Sequence, residues 1–352
     1  MAMSPTVSIC IPVYNMARYL SKAVDSALAQ TYTDFELLIV DNVSTDGTYE
    51  LALEYARNDA RVRVVRNDRN IGANPNFNRC FDLARGTWVK FLCADDLLAA
   101  DCIEKMMAAS RPGPLVMNCM EEFILPADMD PAVRVLHETY WREHSLRLFH
   151  RFPKQTFISD AEFADLVAED PTFNCISVCS CMIHRKAWER FGQYKLDLIQ
   201  LNDWELCARA GVHTGVINVA DAVAYYRVHG SSLGDLLVAQ RPYKMDVLCP
   251  LVIRHDAVYH ADYTPVREAA KRRRIDLRYE LFDASRHARH GIDQYARERG
   301  DTHAASDWTE MVKQYPGVLS VPPTYYPIKA WRWGMKRLRL TGASARVAAN
   351  LG

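Results

Sequence analysis

The stretch KFLCADDLL, from Lys90 to Leu98, runs from an apolar segment directly into two adjacent aspartates. Two carboxylates side by side repel each other, and the end of a strand offers no helix dipole to stabilise them. Either they face solvent, with one of them capping a helix that begins near Asp101, or they hold a cation. Because Mg²⁺ and Mn²⁺ take carboxylate oxygens and often a substrate's phosphates, Asp95 and Asp96 are a candidate metal site.

Strands alternate with helices on both sides of this stretch. Apolar runs predict strands at VSICIPVY (Val7–Tyr14), FELLIVDN, RVRVVRN, TWVKFLCADD and PLVMNC. Helical spacing predicts helices over Leu20–Leu28, Asp46–Asn58, Phe77–Ala84 and Asp101–Ala109. This alternation is typical of βαβ units, so we expect an α/β fold with a mostly parallel sheet covered by helices on both faces.

Polar pairs follow three of the predicted strands, and they are Tyr14-Asn15, Asp41-Asn42 and Asp95-Asp96. In open α/β sheets, ligands bind beyond the carboxyl ends of the strands. The sequence therefore predicts one rim of the sheet as the functional site.

The pattern is looser from about Glu121 to Pro171, where we expect longer connections and a helix near Glu162–Glu169. NCISVCSCMIHR then predicts a strand with Cys179 and Cys181 on one face, followed by two short helices, KAWERFG and DWELCARAG. AVAYYRVHG predicts a strand that ends at His229, and the chain beyond about Leu236 is expected to be mostly helical.

Composition excludes several classes of protein. The 43 basic and 43 acidic residues balance, which argues against a nucleic-acid binder. The ten cysteines show no zinc-site spacing and no disulfide framework, so we expect a reducing, cytoplasmic compartment. The N-terminus has no features of a signal peptide, and no apolar run is long enough to span a membrane. No G-x-G-x-x-G follows any predicted strand, which argues against a nicotinamide dehydrogenase.

A set of short motifs between Val7 and Leu233 resembles the family-two glycosyltransferases of the GT-A fold. In chain order they are PVYN, VDNVSTDGT, RNIGANPNFN, FLCADDLL, CMIHRKAWERFG, NDWELCARA and YYRVHGSS. The resemblance implies a Rossmann-like sheet in a catalytic domain over residues 1–235. Its nucleotide-sugar half would span about 1–120, its acceptor half about 121–235, and a helical C-terminal region would follow over 236–352. Such enzymes move a sugar from a nucleotide-diphosphate donor to a hydroxyl, usually with inversion and with Mn²⁺ or Mg²⁺.

The resemblance also assigns donor-binding positions. Pro12, Tyr14 and Asn15 would lie under the nucleotide, and Asp41 would accept a hydrogen bond from the base. Relatives usually carry a second aspartate where this chain has Asn42. Asn70 and Gly72, in the N-x-G turn, would also lie at the donor site. Arg227 would lie near the diphosphate. The alternative for Asn70 and Gly72 is an ordinary turn before a capped helix.

Asp95 would face ribose or sugar hydroxyls, while Asp96 and His229 would bind the metal. Relatives often have an acidic residue where this chain has Cys93. The alternative for His229 is a polar strand end. A metal there would stabilise the charge that builds on the leaving diphosphate.

Asp203 matches the aspartate that removes the acceptor hydroxyl's proton in inverting relatives. The residue before it, commonly Glu in the family, is Asn202 here. The alternative is that Asp203 caps a helix over Trp204–Ala210.

The segment Pro327–Arg346 holds six basic residues and no acidic one, interleaved with Trp331, Trp333 and other apolar residues. Such a segment can lie in an anionic membrane interface, which would suit a lipid-linked acceptor. The alternatives are a helix packed on the catalytic domain and a contact in a homo-oligomer. Two rival functions also stay open: a non-catalytic sugar-nucleotide-binding scaffold of the same fold, and a sugar nucleotidyltransferase, which would need a glycine-rich loop after the first strand.

Overall fold

The structure is a computed structural model. It describes residues 5–143, 146–153, 156–172, 176–198, 200–229, 243–327 and 329–330. Within these ranges the strands are β1 Val7–Val13, β2 Phe35–Asp41, β3 Val62–Arg66, β4 Trp88–Phe91, β5 Leu97–Leu98, β6 Val116–Ile124, β7 Phe157–Ile158, β8 Cys181–His184 and β9 Val216–Arg227.

The α-helices of the sheet domain are α1 Ala17–Leu28, α2 Thr48–Asn58, α3 Ala73–Leu83, α4 Cys102–Ala108, α5 Pro131–Glu143, α6 Arg147–Arg151, α7 Asp160–Glu169, α8 Arg185–Phe191 and α9 Asn202–Thr214. Helix α7 begins two residues before the predicted position because Ser159 and Glu162 form a capping box at its N-terminus.

All these strands belong to one sheet with the order β3-β2-β1-β4-β8-β6-β9-β5, and β7 pairs with β9 at the side. β1 to β4 pair in parallel, as do β6 and β9, whereas β8 runs antiparallel to both of its neighbours. The predicted α/β class with a mostly parallel sheet is confirmed. The antiparallel β8 joins the two halves of the sheet and aligns their rims.

The sheet buries both of its faces. Along β1, Ile9 and Ile11 belong to one apolar cluster, while Cys10 between them belongs to the other. Since successive side chains of a strand point to opposite faces, each face has its own core. Helix α1 covers the first face through Leu20, and α3 covers the second through Phe81.

The region after the sheet domain is helical, as predicted. It contains a π-helical turn, Lys244–Leu248, then α10 Cys249–Tyr259, α11 Thr264–Arg273, α12 Leu277–Arg299 and α13 His303–Gln314, with short 3₁₀ segments at Ala261–Tyr263 and Pro316–Leu319. Its buried apolar side chains belong to the same core cluster as those of α3 and α9. The predicted boundary at residue 235 lies outside the described residues, as does most of Pro327–Arg346. Among the helices that are described, none combines the length and the apolar character needed to cross a bilayer.

Several strand predictions had wrong bounds. The strand predicted to end at His229 is β9, which runs from Val216 to Arg227. The strand predicted over TWVKFLCADD ends at Phe91, and Cys93 to Asp96 form a turn closed by a 3.0 Å bond from the Asp96 amide to the Cys93 carbonyl. The strand predicted over NCISVCSCMIHR is confined to Cys181–His184. Cys179 lies in a turn before it, so Cys179 and Cys181 do not alternate on one strand as predicted.

Candidate active site

The two aspartates of the turn between β4 and β5 meet the end of β9. The amide of Arg227 donates to Asp96 Oδ1 at 2.9 Å, and Arg227 Nε donates to the backbone carbonyl of Asp95 at 2.8 Å. His229 Nε2 lies 2.9 Å from Asp95 Oδ2. Asp95, Asp96, Arg227 and His229, all singled out in the sequence, are therefore joined by direct contacts.

Asp96 is a buried carboxylate with an unused oxygen. Asp96 is 1% exposed, and its Oδ2 has no hydrogen-bond partner within bonding distance among the described residues, although the nearby Cys179 thiol lowers the pKa of the carboxyl in part. Burial, and then the charge of Asp95, raise the pKa of Asp96 well above its ordinary value. A buried acceptor left without a partner is costly, and a bound cation would remove that cost.

Cys93 lies between the carboxylates. One ligand atom each from Cys93, Asp95 and Asp96 fall within 4.8 Å of one another, close enough to share a cation. Burial raises the pKa of the Cys93 thiol, and the charges of Asp96, Asp95 and Asp203 raise it further. The donor set available at neutral pH is thus mainly carboxylate oxygen, which suits Mg²⁺ or Mn²⁺.

Tyr19 of α1 completes this side of the site and was missed from the sequence. Its ring stacks on His229 with centroids 4.6 Å apart and planes at 26°. The Arg227 guanidinium lies 5.9 Å from the centre of the same ring. The aromatic ring restricts the orientation of His229. The sequence signal for this role was weak: Tyr19 comes shortly after the polar residues that follow β1, beside the apolar positions of α1.

The end of β2 is closed by local bonds. Asp41 is fully buried; both of its carboxylate oxygens accept from the Ser44 amide, at 3.1 and 3.3 Å, and Arg66 Nε lies 3.2 Å from Oδ2. Val43 adopts a left-handed conformation with φ of 66°, an unusual one for a β-branched residue. Asp41 thus braces the loop that follows β2.

Asn42 ties that loop to the N-x-G turn. Its side-chain amide donates to Asn70 Oδ1 at 2.8 Å and to the carbonyl of Gly72 at 3.3 Å, while its oxygen accepts from Asn67 and from the Ile71 amide, each at 3.0 Å. Asn42, Asn70 and Gly72 are therefore brought together as expected. Helix α3 follows Gly72, which has a φ of 88° and makes no side-chain cap.

The residues after β1 form the third part of the rim. Asn15 has a left-handed φ of 54°, and its side-chain oxygen accepts from the Thr45 amide at 2.8 Å. The side chain of Tyr14 is 46% exposed, so it is accessible to a ligand. Pro12 is half-buried and pairs in register with Val40. Asn15 thus fixes the loops after β1 and β2 relative to each other.

Asp203 lies at the start of α9, which begins at Asn202 and not at Trp204. Its Oδ2 accepts from the Val178 amide at 2.7 Å, and its Oδ1 accepts from the Trp204 amide at 2.8 Å. Burial raises the pKa of Asp203, although these backbone amides lower it in part. The residue at the N-cap position is Leu201, with a left-handed φ of 64°, so Asp203 is not the cap.

The rim just described carries the motifs of a known family. The family model described as glycosyl transferase family 2 matches residues 8–189, which is more than half of the chain. This chain belongs to that family. The resemblance inferred from the motifs is therefore confirmed at the level of the family.

Curated relatives match part of the chain. TuaG of Bacillus subtilis, named as a teichuronic acid biosynthesis glycosyltransferase, is 38% identical over 133 residues, which are 38% of this chain and 53% of TuaG. A PGL/p-HBAD biosynthesis glycosyltransferase of Mycobacterium bovis is 42% identical over 106 residues, 30% of this chain and 41% of the relative. The matches span about half or less of these relatives.

Solved structures share the fold over almost the whole chain. S. aureus TarS in complex with UDP-GlcNAc has a TM-score of 0.59 at 14% identity, and the match covers 90% of this chain and 82% of the other. The mannosyltransferase PcManGT of Pyrobaculum calidifontis, in complex with GDP-Man and Mn²⁺, has a TM-score of 0.54 at 16% identity, covering 94% and 84%. The GT-A fold of this chain is thereby confirmed.

Proposed function

We propose that this chain transfers a sugar from a nucleoside-diphosphate-sugar, UDP-linked, to a hydroxyl acceptor with inversion, in the synthesis of a cell-surface glycan or polysaccharide. The observation that carries the proposal is the grouping of ligand atoms from Cys93, Asp95 and Asp96 within 4.8 Å of one another, beside a His229 that contacts Asp95. Membership of glycosyl transferase family 2 supports the reaction class. The complexes of TarS with UDP-GlcNAc and of PcManGT with GDP-Man support the donor class.

Asp96 and His229 are the proposed ligands of a divalent cation, Mn²⁺ or Mg²⁺. The unpartnered Oδ2 of Asp96 and the neighbouring oxygens of Asp95 fit such an ion. Bound there, the cation supplies Lewis-acid stabilisation of the negative charge on the leaving diphosphate. Asp95 is left to face ribose or sugar hydroxyls, and Arg227 lies alongside.

The rim over β1 and β2 is the proposed nucleotide site. Tyr14 and Asn15 would lie under the nucleotide, next to Pro12, and Asp41 would accept from the base. Asn42 shapes the site by holding the turn at Asn70 and Gly72. The amides of Ile71 and Gly72 are bonded within the turn, so its shape is set before a ligand binds.

Asp203 is the proposed general base. Its raised pKa makes the carboxylate a better proton acceptor than an ordinary aspartate, and it stays ionised above that pKa. As the acceptor oxygen bonds to the anomeric carbon, the bond to the diphosphate breaks and its electrons leave with the nucleotide. The acceptor's proton passes to Asp203.

Slow hydrolysis of a panel of nucleotide sugars tests the proposal. UDP-N-acetylglucosamine, other UDP-sugars and GDP-mannose are incubated with Mn²⁺ or Mg²⁺, then with chelator. We expect one donor to release its nucleoside diphosphate only with metal, and Asp96→Ala to abolish the release. Nucleotide binding is measured on the same samples by calorimetry. Metal-dependent nucleotide binding with no release, even with added acceptor glycans, would favour a non-catalytic scaffold, and absence of binding would overturn the proposal.

A further inference from the structure

The loop between α8 and α9 is held against α3 by two asparagines one turn apart. Asn78 forms a pair of bonds with the backbone of Tyr194, at 2.9 and 3.0 Å. Asn74 donates from its side-chain amide to the carbonyl of Leu198. Residues four apart on a helix share a face, so both amides point at the same loop.

Asn74 also reaches the start of α9. Its Oδ1 accepts from Asn202 Nδ2 at 2.8 Å, and Asn202 Oδ1 in turn accepts from the backbone amide of Asp203 at 3.0 Å. A continuous chain of hydrogen bonds therefore runs from the first turn of α3, through Asn202, to Asp203. Helix α3 begins directly after Gly72 of the N-x-G turn, so this chain links the proposed nucleotide rim to the proposed base.

The first turn of α9 needs such support. The residue before it, Leu201, holds a left-handed φ of 64°, a conformation that non-glycine residues adopt only when their surroundings impose it. A short loop segment with this strain can relax if its side-chain contacts are removed. Relaxation would move Asp203 before any other part of the helix.

The rest of α9 has further contacts, to the helical region and to Lys195 of the same loop. Glu205 is fully buried and is bonded by Arg209 at 2.9 Å and by the Tyr263 hydroxyl at 3.2 Å. Lys195 bridges Glu205, at 3.5 Å, to Asp256 of α10. The helix axis is therefore set by these charges, and the bond from Asn74 acts on the first turn alone.

We propose that Asn74 and Asn202 are positioning residues for Asp203, holding its carboxylate in the geometry that proton transfer requires. This inference rests on the proposed function. Neither residue touches the reacting atoms in this role. A displacement of about 1 Å can lower a rate by about 100-fold, so loss of the pair should reduce catalysis far more than donor binding.

The experiment compares Asn74→Ala and Asn202→Ala with Asn78→Ala as a matched control. Asn78→Ala removes two bonds to the same loop from the same helix, but none that lead to Asp203. Amide hydrogen exchange over residues 201–206 needs no substrate. We expect faster exchange there in Asn74→Ala and Asn202→Ala, and near wild-type exchange there in Asn78→Ala.

The second readout is nucleoside-diphosphate release from UDP-N-acetylglucosamine, or from the donor that the panel selects. We expect kcat to fall by about 10-fold to 100-fold in Asn74→Ala with donor KM nearly unchanged. The acid limb of the pH profile should move to lower pH, because an Asp203 freed towards solvent loses the burial that raises its pKa.

Unchanged exchange over 201–206 in Asn74→Ala would overturn the inference, as would a loss of kcat of equal size in Asn78→Ala. Asp203→Asn is measured beside these variants. If Asp203→Asn is inactive while Asn74→Ala matches wild type in rate and pH profile, only the positioning role fails. If Asp203→Asn is as active as wild type, the base assignment itself fails.

Discussion

Asp96 and Asp203 differ in what holds them, although burial raises the pKa of both. Asp203 accepts from two backbone amides, one on each oxygen, which favour its ionised form and orient it. Asp96 receives one amide and has a neighbouring negative charge in Asp95. Asp203 therefore has the environment of a base, and Asp96 has that of a cation ligand.

Replacing Asp203 with Asn should lower transfer by about 100-fold to 10,000-fold while nucleotide binding stays within a few-fold, because a carboxamide cannot accept the proton. In the wild type, activity should rise with pH through the raised pKa of Asp203, at a pH above that of an ordinary aspartate. Initial rates across pH, with calorimetry of UDP and Mn²⁺ on both proteins, measure these effects. Full transfer by Asp203→Asn would contradict the assignment.

Replacing Asp96 with Asn should stabilise the metal-free protein at neutral pH. The folded pKa of Asp96 is raised, so at neutral pH folding must either bury the ionised carboxylate or protonate it, and both cost free energy. The difference in unfolding free energy should be full above that pKa and vanish as the pH falls to the pKa of the unfolded chain. Thermal unfolding with chelator measures it.

Added Mn²⁺ gives the control for this prediction. Wild-type Tm should rise with Mn²⁺ because the ion binds only the folded state, whereas the Tm of Asp96→Asn should hardly change. Equal Mn²⁺ stabilisation of both proteins would place the ion elsewhere.

The loops after β1, β2 and β3 are joined through side chains more than through apolar packing. Asn15 bonds the loop after β2, and Asn42 bonds the turn before α3. These loops keep the shape of a ligand site only while the side-chain amides of Asn15 and Asn42 make all of their hydrogen bonds, since a partly bonded buried network costs stability.

Asn42→Ala should lower the free energy of unfolding by about 1–3 kcal/mol, because it leaves the partners of a buried amide unpaired. Affinity for UDP should fall as well, since the turn at Gly72 loses its anchor. Asn58→Ala is the matched control, because Asn58 is exposed at the end of α2. Chemical denaturation and UDP titration measure both; equal effects of the two substitutions would contradict the role of Asn42.

The spacing of apolar residues predicted the helices and the central strands. It could do so because β1, β2 and the neighbouring strands are buried on both faces, which requires apolar residues there. The strand predicted through Cys179 was wrong for a local reason. Ser177 and Ser180 bond each other's backbone amides at 3.1 and 2.9 Å, which replaces the ladder bonds of a strand with a turn. Contacts such as Tyr19 with His229 could not be predicted, since spacing says nothing about partners far apart in the chain.

The helical region after residue 243 is bound to the sheet domain by charge as well as by apolar surface. Lys195 lies between Glu205 and Asp256, and the side chain of Lys195 is only 19% exposed. Asp197 of the same loop accepts from Gln314 at 3.0 Å. The region therefore packs behind α9, the helix that carries Asp203, and composition alone could not predict this contact.

Lys195→Met should cost about 3–5 kcal/mol, because it leaves two buried carboxylates without their shared cation. Lys313→Met, at an exposed site of α13, is the matched control and should change stability little. Urea denaturation followed by circular dichroism measures both. A loss for Lys195→Met no larger than that of the control would show that the network does not hold the helical region in place.

The basic segment Pro327–Arg346 stays a prediction of membrane contact. Neutralising its six lysines and arginines to Gln should abolish binding to vesicles of phosphatidylglycerol, since each basic residue near an anionic surface contributes about 1 kcal/mol. Lys271→Gln with Arg274→Gln, at the C-terminal end of α11, tests whether basic charge removed elsewhere on the protein also lowers binding. Co-sedimentation at low and high salt measures the effect; retained binding by the neutralised protein would contradict the prediction.

The contacts of Arg227 and His229 with the aspartate turn join residues that are 131 to 134 positions apart in the chain. During synthesis, the turn at Asp95 emerges long before β9 can pair beside it. A growing chain that ends before Arg227 has the nucleotide rim but an incomplete cation site. A donor and a metal bound as proposed would therefore stabilise only molecules whose sheet is finished, so ligand binding would select completed chains over partly folded ones.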